Sequence, residues 1–180
     1  MKRTMAWITA LLTLAFAILL PVFLLTEKAV LEVVTITVGV TLYHFAMRLA
    51  VGTAVNFIMK NKADHQNAWF REKGFEKRLY GALCVRRWKK YLPTYSPDTF
   101  DPRVRSVREL IGATCQAEVV HEIIMLLSLL PILLIPILGG AAAMIVTSVL
   151  SMLFDSLFAL LQRYNRPRLV GVMKRFEKLK

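Results

Sequence analysis

The sequence contains few cysteines and few acidic residues. Its two cysteines, Cys84 and Cys115, form neither a CxxC motif nor a zinc-binding pattern, so neither a disulfide framework nor a structural metal site is expected. Lys and Arg number 24 against 12 Asp and Glu, which gives a net charge of +12 at neutral pH. Because no nucleic-acid-binding motif accompanies this charge, we expect the basic residues to face a membrane surface, not DNA or RNA.

The signature motifs of several enzyme classes are absent as well. The sequence has no GxSxG motif, no glycine-rich phosphate loop and no His followed by Asp after three or four residues. His121 and Glu122 begin like an HExxH metal motif, but the fifth position is Met125. We therefore predict no catalytic metal and no bound cofactor.

Long apolar runs dominate the chain. Hydrophobic residues make up 56% of the sequence and the mean hydropathy is +0.51, which is too apolar for a soluble domain with a single core. We predict an all-α, polytopic membrane protein that forms one integral membrane domain over residues 1–180. Each apolar run is long enough to cross the hydrocarbon core as a helix, so four spans are expected, at about 5–25, 33–56, 119–138 and 141–161.

The distribution of basic residues predicts the orientation of these spans. Lys and Arg are concentrated at the N-terminus, in a segment at about 60–117 and in the tail 162–180. Because cytoplasmic segments of membrane proteins are enriched in Lys and Arg, we expect both termini and the 60–117 segment on the cytoplasmic side of the cell membrane.

The 60–117 segment is the only extended polar region. Its basic and aromatic residues have helical spacing over about 69–90, which predicts an amphipathic helix at the membrane interface. Pro93, Pro97 and Pro102 then predict a loop over about 92–103. We expect the next helix to begin near Val104.

Two charged residues lie inside or beside apolar runs. Arg48 shares a helix face with His44, so either it pairs with a buried anion or the helix ends near it. The candidate partners for Arg48 are an anionic substrate and the glutamates Glu118 and Glu122. Asp155 lies near the end of the fourth run, where it either pairs with a cation or hydrates the helix end. Its candidate partners are His121 and Arg163.

Residues 113–122, ATCQAEVVHE, contain the strongest candidates for chemistry. Glu118 and His121 are three residues apart, so on a helix their side chains lie on one face within one turn. Ionisable groups at the edge of a bilayer are costly to bury and indicate a functional site. The alternative is a hydrated pair bonded to neighbouring helices. A single Glu-x-x-His pair does not predict a di-metal site, which needs two such pairs.

Three segments resemble successive motifs of the glycosyl-4,4'-diaponeurosporenoate acyltransferase family. They are VRRWKKYLP at 85–93, ATCQAEVVH at 113–121 and QRYNRPRL at 162–169, and they occur in the family's order. The resemblance extends over about 69–169. The chain departs from the family's central motif at four positions, so a related lipid acceptor stays open. These positions are Ala113, Cys115, Gln116 and Glu122.

The resemblance implies transfer of a fatty acyl group to a hydroxyl of a glycosylated isoprenoid, a carotenoid or a related lipid. It implies that His121 is the general base and that Glu118 orients the imidazole. Acyl-CoA or an acyl carrier protein is the implied co-substrate, and the lipid glycoside and membrane lipid are the implied partners. Arginine binds phosphate and oxyanions through two bonds, so the basic motifs imply substrate-binding residues. These are Arg163, Asn165, Arg166 and Arg168, with Arg86, Trp88 and Lys89.

Three alternatives to these assignments stay open. The basic residues could serve only to anchor the chain at the cytoplasmic face. The protein could be a non-enzymatic membrane subunit that binds a partner or anionic lipid. It could also be another small lipid-modifying transferase, such as a methyltransferase. The enzyme hypothesis requires that Glu118 and His121 approach the QRYNRPRL segment.

Overall fold

The computed structural model describes residues 2–92 and 99–179. These residues form helices, turns and no strand, which confirms the all-α prediction. Pro93 and Pro97, which the sequence places in a loop, lie outside the described residues. The helices are α1 (Lys2–Thr26), α2 (Ala29–Met59), α3 (Glu76–Ala82), α4 (Val85–Trp88), α5 (Val107–Leu127), α6 (Leu130–Leu133), α7 (Ile135–Leu138) and α8 (Ala141–Lys178), with a 3₁₀ turn at Lys89–Tyr91.

Four stretches of the described chain are long and apolar enough to cross a membrane, as the sequence predicts. They are Arg3–Thr26, Ala29–Met59, Val107–Leu138 and Ala141–Lys178. The helices extend beyond the predicted spans, because α5 begins in the polar segment and α8 continues through the basic tail. The QRYNRPRL motif is therefore helical.

Several threonine hydroxyls on the apolar helices donate to a carbonyl of their own helix. Thr9 donates to the carbonyl of Met5 at 2.8 Å, and Thr37 donates to the carbonyl of Val33 at 2.7 Å. Trp7 is 71% exposed, so α1 presents a large apolar side chain outward. A helix that bonds its own hydroxyls and exposes apolar side chains suits a hydrocarbon environment, where unpaired polar groups are costly.

The chain divides into two compact units. The first unit comprises Met1–Thr53 and Ile123–Asp155. Within it, α1 and α2 approach closely at Gly39, where a Cβ atom would lie 2.7 Å from the Phe16 ring. The turn before α8 contains Gly140 at a φ of +63°, a conformation that favours glycine.

The second unit comprises Ala54–Glu122 and Ser156–Lys180. Its small aromatic core is formed by Tyr80, Val85 and Tyr164, and Trp88 packs against this core. The described residues of all three motifs that resemble the acyltransferase family therefore lie in this unit.

The predicted amphipathic helix over 69–90 is wrong. The chain forms turns up to α3, and α3 and α4 are separated at Cys84, which has a φ of +49°. A residue in this left-handed region cannot continue a right-handed helix. Directly after this break, Val85 is fully buried and packs in the aromatic core.

The predicted start of the third long helix near Val104 is wrong by three residues. Helix α5 begins at Val107, after a capping box formed by Ser106 and Glu109. The Ser106 backbone N–H donates to Glu109 Oε2 at 2.8 Å, and the Glu109 N–H donates to Ser106 Oγ at 3.3 Å. These two bonds satisfy N–H groups that the first turn leaves unpaired, and so fix the helix start.

Candidate active site

Glu118 on α5 is bound by two arginines of the QRYNRPRL motif. Its side chain is fully buried, with Arg163 donating to Oε1 and Arg166 donating to Oε2. Both carboxylate oxygens are thus engaged by guanidinium groups. These ion pairs hold α5 against the part of α8 that carries the motif, inside the second unit.

Arg163 also binds Glu76 of α3. Its Nε and Nη2 donate to Glu76 Oε1 at 3.0 and 2.7 Å. The remaining N–H groups donate to the carbonyls of Trp69 at 3.2 Å and Arg71 at 3.4 Å. Guanidinium has five N–H donors, and these bonds together with the bond to Glu118 engage all five. In this arrangement Arg163 has no donor left for a substrate.

Arg166 is enclosed more tightly. Its side chain is 3% exposed. It donates to the Thr114 hydroxyl at 3.3 Å, to the Thr114 carbonyl at 3.2 Å and to the Phe70 carbonyl at 2.9 Å. Its guanidinium also lies 5.0 Å from the centroid of the Phe70 ring. We refer to Glu76, Glu118, Arg163 and Arg166 as the arginine–carboxylate network.

Tyr80 connects this network to the aromatic core. Its hydroxyl donates to Glu76 Oε2 at 2.7 Å, and its ring meets Tyr164 edge to face at 5.3 Å. Burial, followed by the hydrogen bond to Glu76, raises the pKa of Tyr80 above its usual value. Tyr80 therefore stays protonated near neutral pH and acts as a donor, so it is not a candidate base.

His121, one turn after Glu118 on α5, stacks on Phe158 of α8. The ring centroids are 4.9 Å apart and the planes differ by 16°. Gln162 lies four residues after Phe158, on the same face of α8. It is 7% exposed, and its Oε1 has no hydrogen-bond partner in the described part of the chain. A buried acceptor without a partner is unusual and can accept a bond from a ligand hydroxyl.

Glu122, one of the departures from the family pattern, contacts the segment before α3. Its Oε2 accepts a hydrogen bond from Trp69 Nε1 at 2.9 Å. Trp69 in turn accepts a bond from Arg163 through its carbonyl. Trp69 thus connects Glu122, one turn after Glu118 on α5, to Arg163.

A basic cleft of about 600 Å³ opens beside the aromatic core. Its charged lining consists of Glu72, Lys77, Arg86, Arg87 and Arg168, and it also includes Tyr80 and Tyr164. Lys77 lies 3.8 Å from Glu72. The Arg168 guanidinium stacks 3.5 Å from the Tyr164 ring centroid. We refer to this feature as the basic cleft.

The other predicted substrate-binding residues lie around this cleft but do not line it. Lys89 Nζ donates to Asn165 Oδ1 at 3.4 Å and lies 5.1 Å from the Tyr164 ring centroid. Trp88 packs on the aromatic core and donates from Nε1 to the Leu83 carbonyl at 2.8 Å. Lys89, Asn165 and Trp88 therefore support the wall of the cleft from behind its lining.

The first unit contains a separate polar cluster around Arg48. Arg48 forms an ion pair with Asp155 and donates to Ser151 Oγ at 2.6 Å. The Ser151 and Ser128 hydroxyls lie 2.9 Å apart. His44 is 5% exposed, and neither ring nitrogen has a hydrogen-bond partner among the described residues. We refer to these five residues as the Arg48 cluster.

The alternative that α2 ends near Arg48 is wrong, because the helix continues to Met59. Arg48 donates to the carbonyl of His44 at 3.1 Å, which directs its side chain along the helix toward Asp155. The sequence named each residue of this ion pair separately but did not predict that they pair with one another.

Sequence reasoning missed several residues that build the site. Glu76 lies among many exposed charges, so nothing in its neighbourhood signals that it is buried. Phe158 resembles any other apolar residue of α8, and nothing in the sequence distinguishes Thr114 from other threonines in helices. Gln162 could have been singled out, because it begins the QRYNRPRL motif and follows an uncharged stretch from 156 to 161.

The fold and the site together define a class of protein. Four apolar stretches of the described chain are long enough to span a membrane. Two of them, through α5 and α8, carry a buried network of ionisable residues together with the short helix α3, and His121 lies one turn after Glu118 on α5. No three His, Cys, Asp or Glu side chains converge on a possible metal site within residues 2–92 and 99–179. These features define a multi-pass helical membrane protein with a polar site built from α3, α5 and α8.

The family model of glycosyl-4,4'-diaponeurosporenoate acyltransferase matches residues 66–175, which is more than half of the chain. The protein belongs to this family and is an acyltransferase, as the motifs predict. The family's name indicates an acceptor that is a glycosylated carotenoid. No curated protein and no solved structure matches the chain.

Proposed function

We propose that this protein transfers a fatty acyl group from a thioester carrier to a hydroxyl of a glycosylated carotenoid or a related lipid glycoside, with His121 as the general base. The observation that carries the proposal is the junction of α5 with the QRYNRPRL motif. Glu118 binds Arg163 and Arg166 there, and His121 stacks on Phe158. Glu118 thus contacts the QRYNRPRL segment, and the Phe158 ring on which His121 stacks lies four residues before that segment on α8. Both contacts support the enzyme hypothesis, within a chain that belongs to an acyltransferase family.

The reaction needs one proton acceptor and one leaving thiolate. The acceptor hydroxyl gives its proton to the His121 imidazole while its oxygen attacks the thioester carbonyl, forming the new C–O bond. The resulting tetrahedral intermediate then collapses, the C–S bond breaks and the carrier thiolate takes the proton from the imidazolium. Phe158 supports the ring in one orientation, and Gln162 Oε1 is the proposed acceptor for a neighbouring hydroxyl of the glycoside.

The arginine–carboxylate network has a positioning role in this proposal. Arg163 directs all five donors to protein groups, and Arg166 is almost fully enclosed. Through Glu118 the two arginines hold α5, which carries His121, against α8. Glu118 positions His121 through the helix turn that they share. Arg86 and Arg168 line the basic cleft and are assigned to the substrate, while Trp88, Lys89 and Asn165 support the cleft wall.

The setting of the reaction follows from the charge distribution. We place the protein in the cell membrane with both termini in the cytoplasm, because the basic segments flank the apolar helices. The carrier then approaches from the cytoplasm, where thioester carriers are made. The lipid glycoside reaches the site from the bilayer.

Mass spectrometry of lipids from cells tests this function. Cells that lack the gene, and cells complemented with wild type or His121→Ala, are compared for glycolipids that differ by one fatty acyl mass. We expect the acylated species only with the wild-type protein and with a control variant, His65→Ala, which removes a histidine outside the proposed site.

Two outcomes would contradict the proposal. An acylated glycolipid made equally well with His121→Ala would exclude His121 as the base. No acyl-mass difference in any lipid, with a deletion phenotype that His121→Ala rescues, would instead indicate a non-enzymatic membrane subunit.

A further inference from the structure

The basic cleft carries more positive charge than its own carboxylates balance. Lys77 has Glu72 nearby at 3.8 Å, but Arg86, Arg87 and Arg168 form no ion pair with a carboxylate within residues 2–92 and 99–179. Arg86, Arg87 and Arg168 are all exposed. Three cations around one concavity raise the local concentration of anions and favour a ligand of high negative charge.

The positions of these arginines are constrained by the aromatic core. Val85, which immediately precedes Arg86, is fully buried in one core with Tyr80 and Tyr164, so the backbone that presents Arg86 and Arg87 is fixed. Arg168 donates to the carbonyl of Tyr164 and stacks on the Tyr164 ring. The cleft therefore combines an ordered aromatic wall with cations on its rim.

The shape of the cleft distinguishes between two kinds of acyl carrier. Its volume of about 600 Å³ falls in the range of roughly 300–1,000 Å³ that is common for small-molecule sites. A folded carrier protein instead needs a surface that buries about 800 Å² on each partner. A concave basic site with an aromatic wall suits the diphosphate and nucleoside of a small nucleotide thioester.

We propose that the basic cleft binds the phosphate groups of the acyl donor, and that this donor is an acyl-CoA and not an acyl carrier protein. Arg86, Arg87 and Arg168 donate to the phosphate oxygens, since guanidinium matches their geometry with paired N–H groups. Tyr164 provides an aromatic wall beside the phosphates. This inference rests on the proposed function for the identity of the donor, but the binding of a phosphate-bearing ligand can be measured without turnover.

The binding of coenzyme A to the full-length protein, measured by isothermal titration calorimetry in nanodiscs of phosphatidylcholine, tests the inference. We expect Arg168→Gln and Arg87→Gln each to weaken binding about tenfold or more, because each removes a charge-assisted hydrogen bond. The matched control is Arg175→Gln, which removes the same charge from an exposed position of α8 outside the cleft and is expected to change affinity less than about twofold. Arg87→Gln guards against loss of folding, because Arg87 is exposed while Arg168 stacks on the core.

The same titration separates the possible sources of phosphate. Coenzyme A affinity that is unchanged in nanodiscs containing phosphatidylglycerol would support a soluble donor site. Affinity lost in phosphatidylglycerol would show that the cleft binds lipid headgroups, and would overturn the inference. Binding of a holo acyl carrier protein without binding of coenzyme A would also overturn it, as would equal losses in Arg175→Gln and Arg168→Gln.

The two proposals fail in distinguishable ways. Acyl transfer that proceeds only from an acyl carrier protein would refute the cleft inference and leave the proposed function intact. Arginine-dependent binding of coenzyme A, with no acylated lipid formed under any condition, would support the cleft and refute the proposed function.

Discussion

The arginine–carboxylate network of the second unit and the Arg48 cluster of the first unit are both built on arginine–carboxylate ion pairs. They differ in how many of their polar atoms have hydrogen-bond partners. In the network, Arg163 engages five donors and Glu118 engages both oxygens. In the cluster, Arg48 binds Asp155 and Ser151, while the two ring nitrogens of His44 are unpartnered in the described chain. Both groups lie in or beside apolar helices, where an unpaired polar atom is costly.

The difference separates two uses of buried charge. A network whose donors are almost all engaged fixes helices in place, because moving any member breaks several bonds at once. The cluster leaves the ring nitrogens of His44 without hydrogen bonds, so it gains less from that side chain. We therefore expect the network to tolerate no substitution, and the cluster to depend on its ion pair but not on His44.

The largest effect is expected for Glu118→Gln. The substitution removes the anion between Arg163 and Arg166 and leaves two buried cations undercompensated, which costs about 3–5 kcal/mol. We expect the unfolding midpoint in detergent to fall by about 6 °C or more. Glu177→Gln removes an exposed carboxylate of α8 and serves as the control. Equal midpoints for the two variants would show that the network does not hold the fold.

The ion pair of the Arg48 cluster comes next. Arg48→Met leaves the Asp155 carboxylate without its guanidinium, at a cost of about 3 kcal/mol. The double variant Arg48→Met/Asp155→Asn should be more stable than the sum of the two single changes predicts, because it leaves no buried charge. A double-mutant cycle of unfolding midpoints measures this coupling. Additive effects would mean that the pair contributes no energy of its own.

A test of packing beside the network compares two glycines. A Cβ atom at Gly112 on α5 would collide with the carbonyl oxygen of Asn61, whereas Gly171 on α8 has no neighbour within 4 Å of that position. We expect Gly112→Ala to destabilise the protein by about 1–3 kcal/mol. Gly171→Ala should stabilise it by about 0.5–1 kcal/mol through helix propensity. Stability gains in both variants would exclude tight packing at Gly112.

The smallest effect is expected for His44→Leu. Replacing an imidazole whose ring nitrogens have no hydrogen-bond partner in the described chain with an apolar side chain of similar volume should change stability by less than about 1 kcal/mol. The unfolding midpoint and lipid acylation in cells are both measured. A large loss of stability would show that His44 binds a partner such as buried water, and would remove the contrast between the two regions.

The sequence predicts the fold well where one property decides it. Runs of uncharged residues predict four spans, and the predicted boundary between the last two, at 138–141, coincides with the turn that contains Gly139 and Gly140. It predicts boundaries less well, because the capping box at Ser106 and the left-handed Cys84 act on single residues within a polar segment. Local backbone conformation overrides helical spacing at these positions.

The candidate site was predictable in part. Glu118, His121 and QRYNRPRL stand out because charge beside an apolar run is unusual. Their partners do not stand out, because Glu76 and Asp155 are buried only through contacts distant in sequence. The sequence also does not show that Arg163 and Arg166 bind carboxylates of the protein itself. An arginine that binds a substrate looks the same in a sequence as one that binds a buried glutamate.

The central claim is that the α5–α8 junction around His121 performs acyl transfer. It is tested most directly by the single-turnover rate of acyl transfer from labelled acyl-CoA to the lipid glycoside by purified protein in nanodiscs. Loss of a general base predicts a rate reduced about 10²–10⁴-fold in His121→Ala, with His65→Ala at the wild-type rate. The unfolding midpoint of His121→Ala should stay within about 5 °C of wild type, because loss of the stacking on Phe158 has a small effect on stability. A rate for His121→Ala within about threefold of wild type would contradict the account.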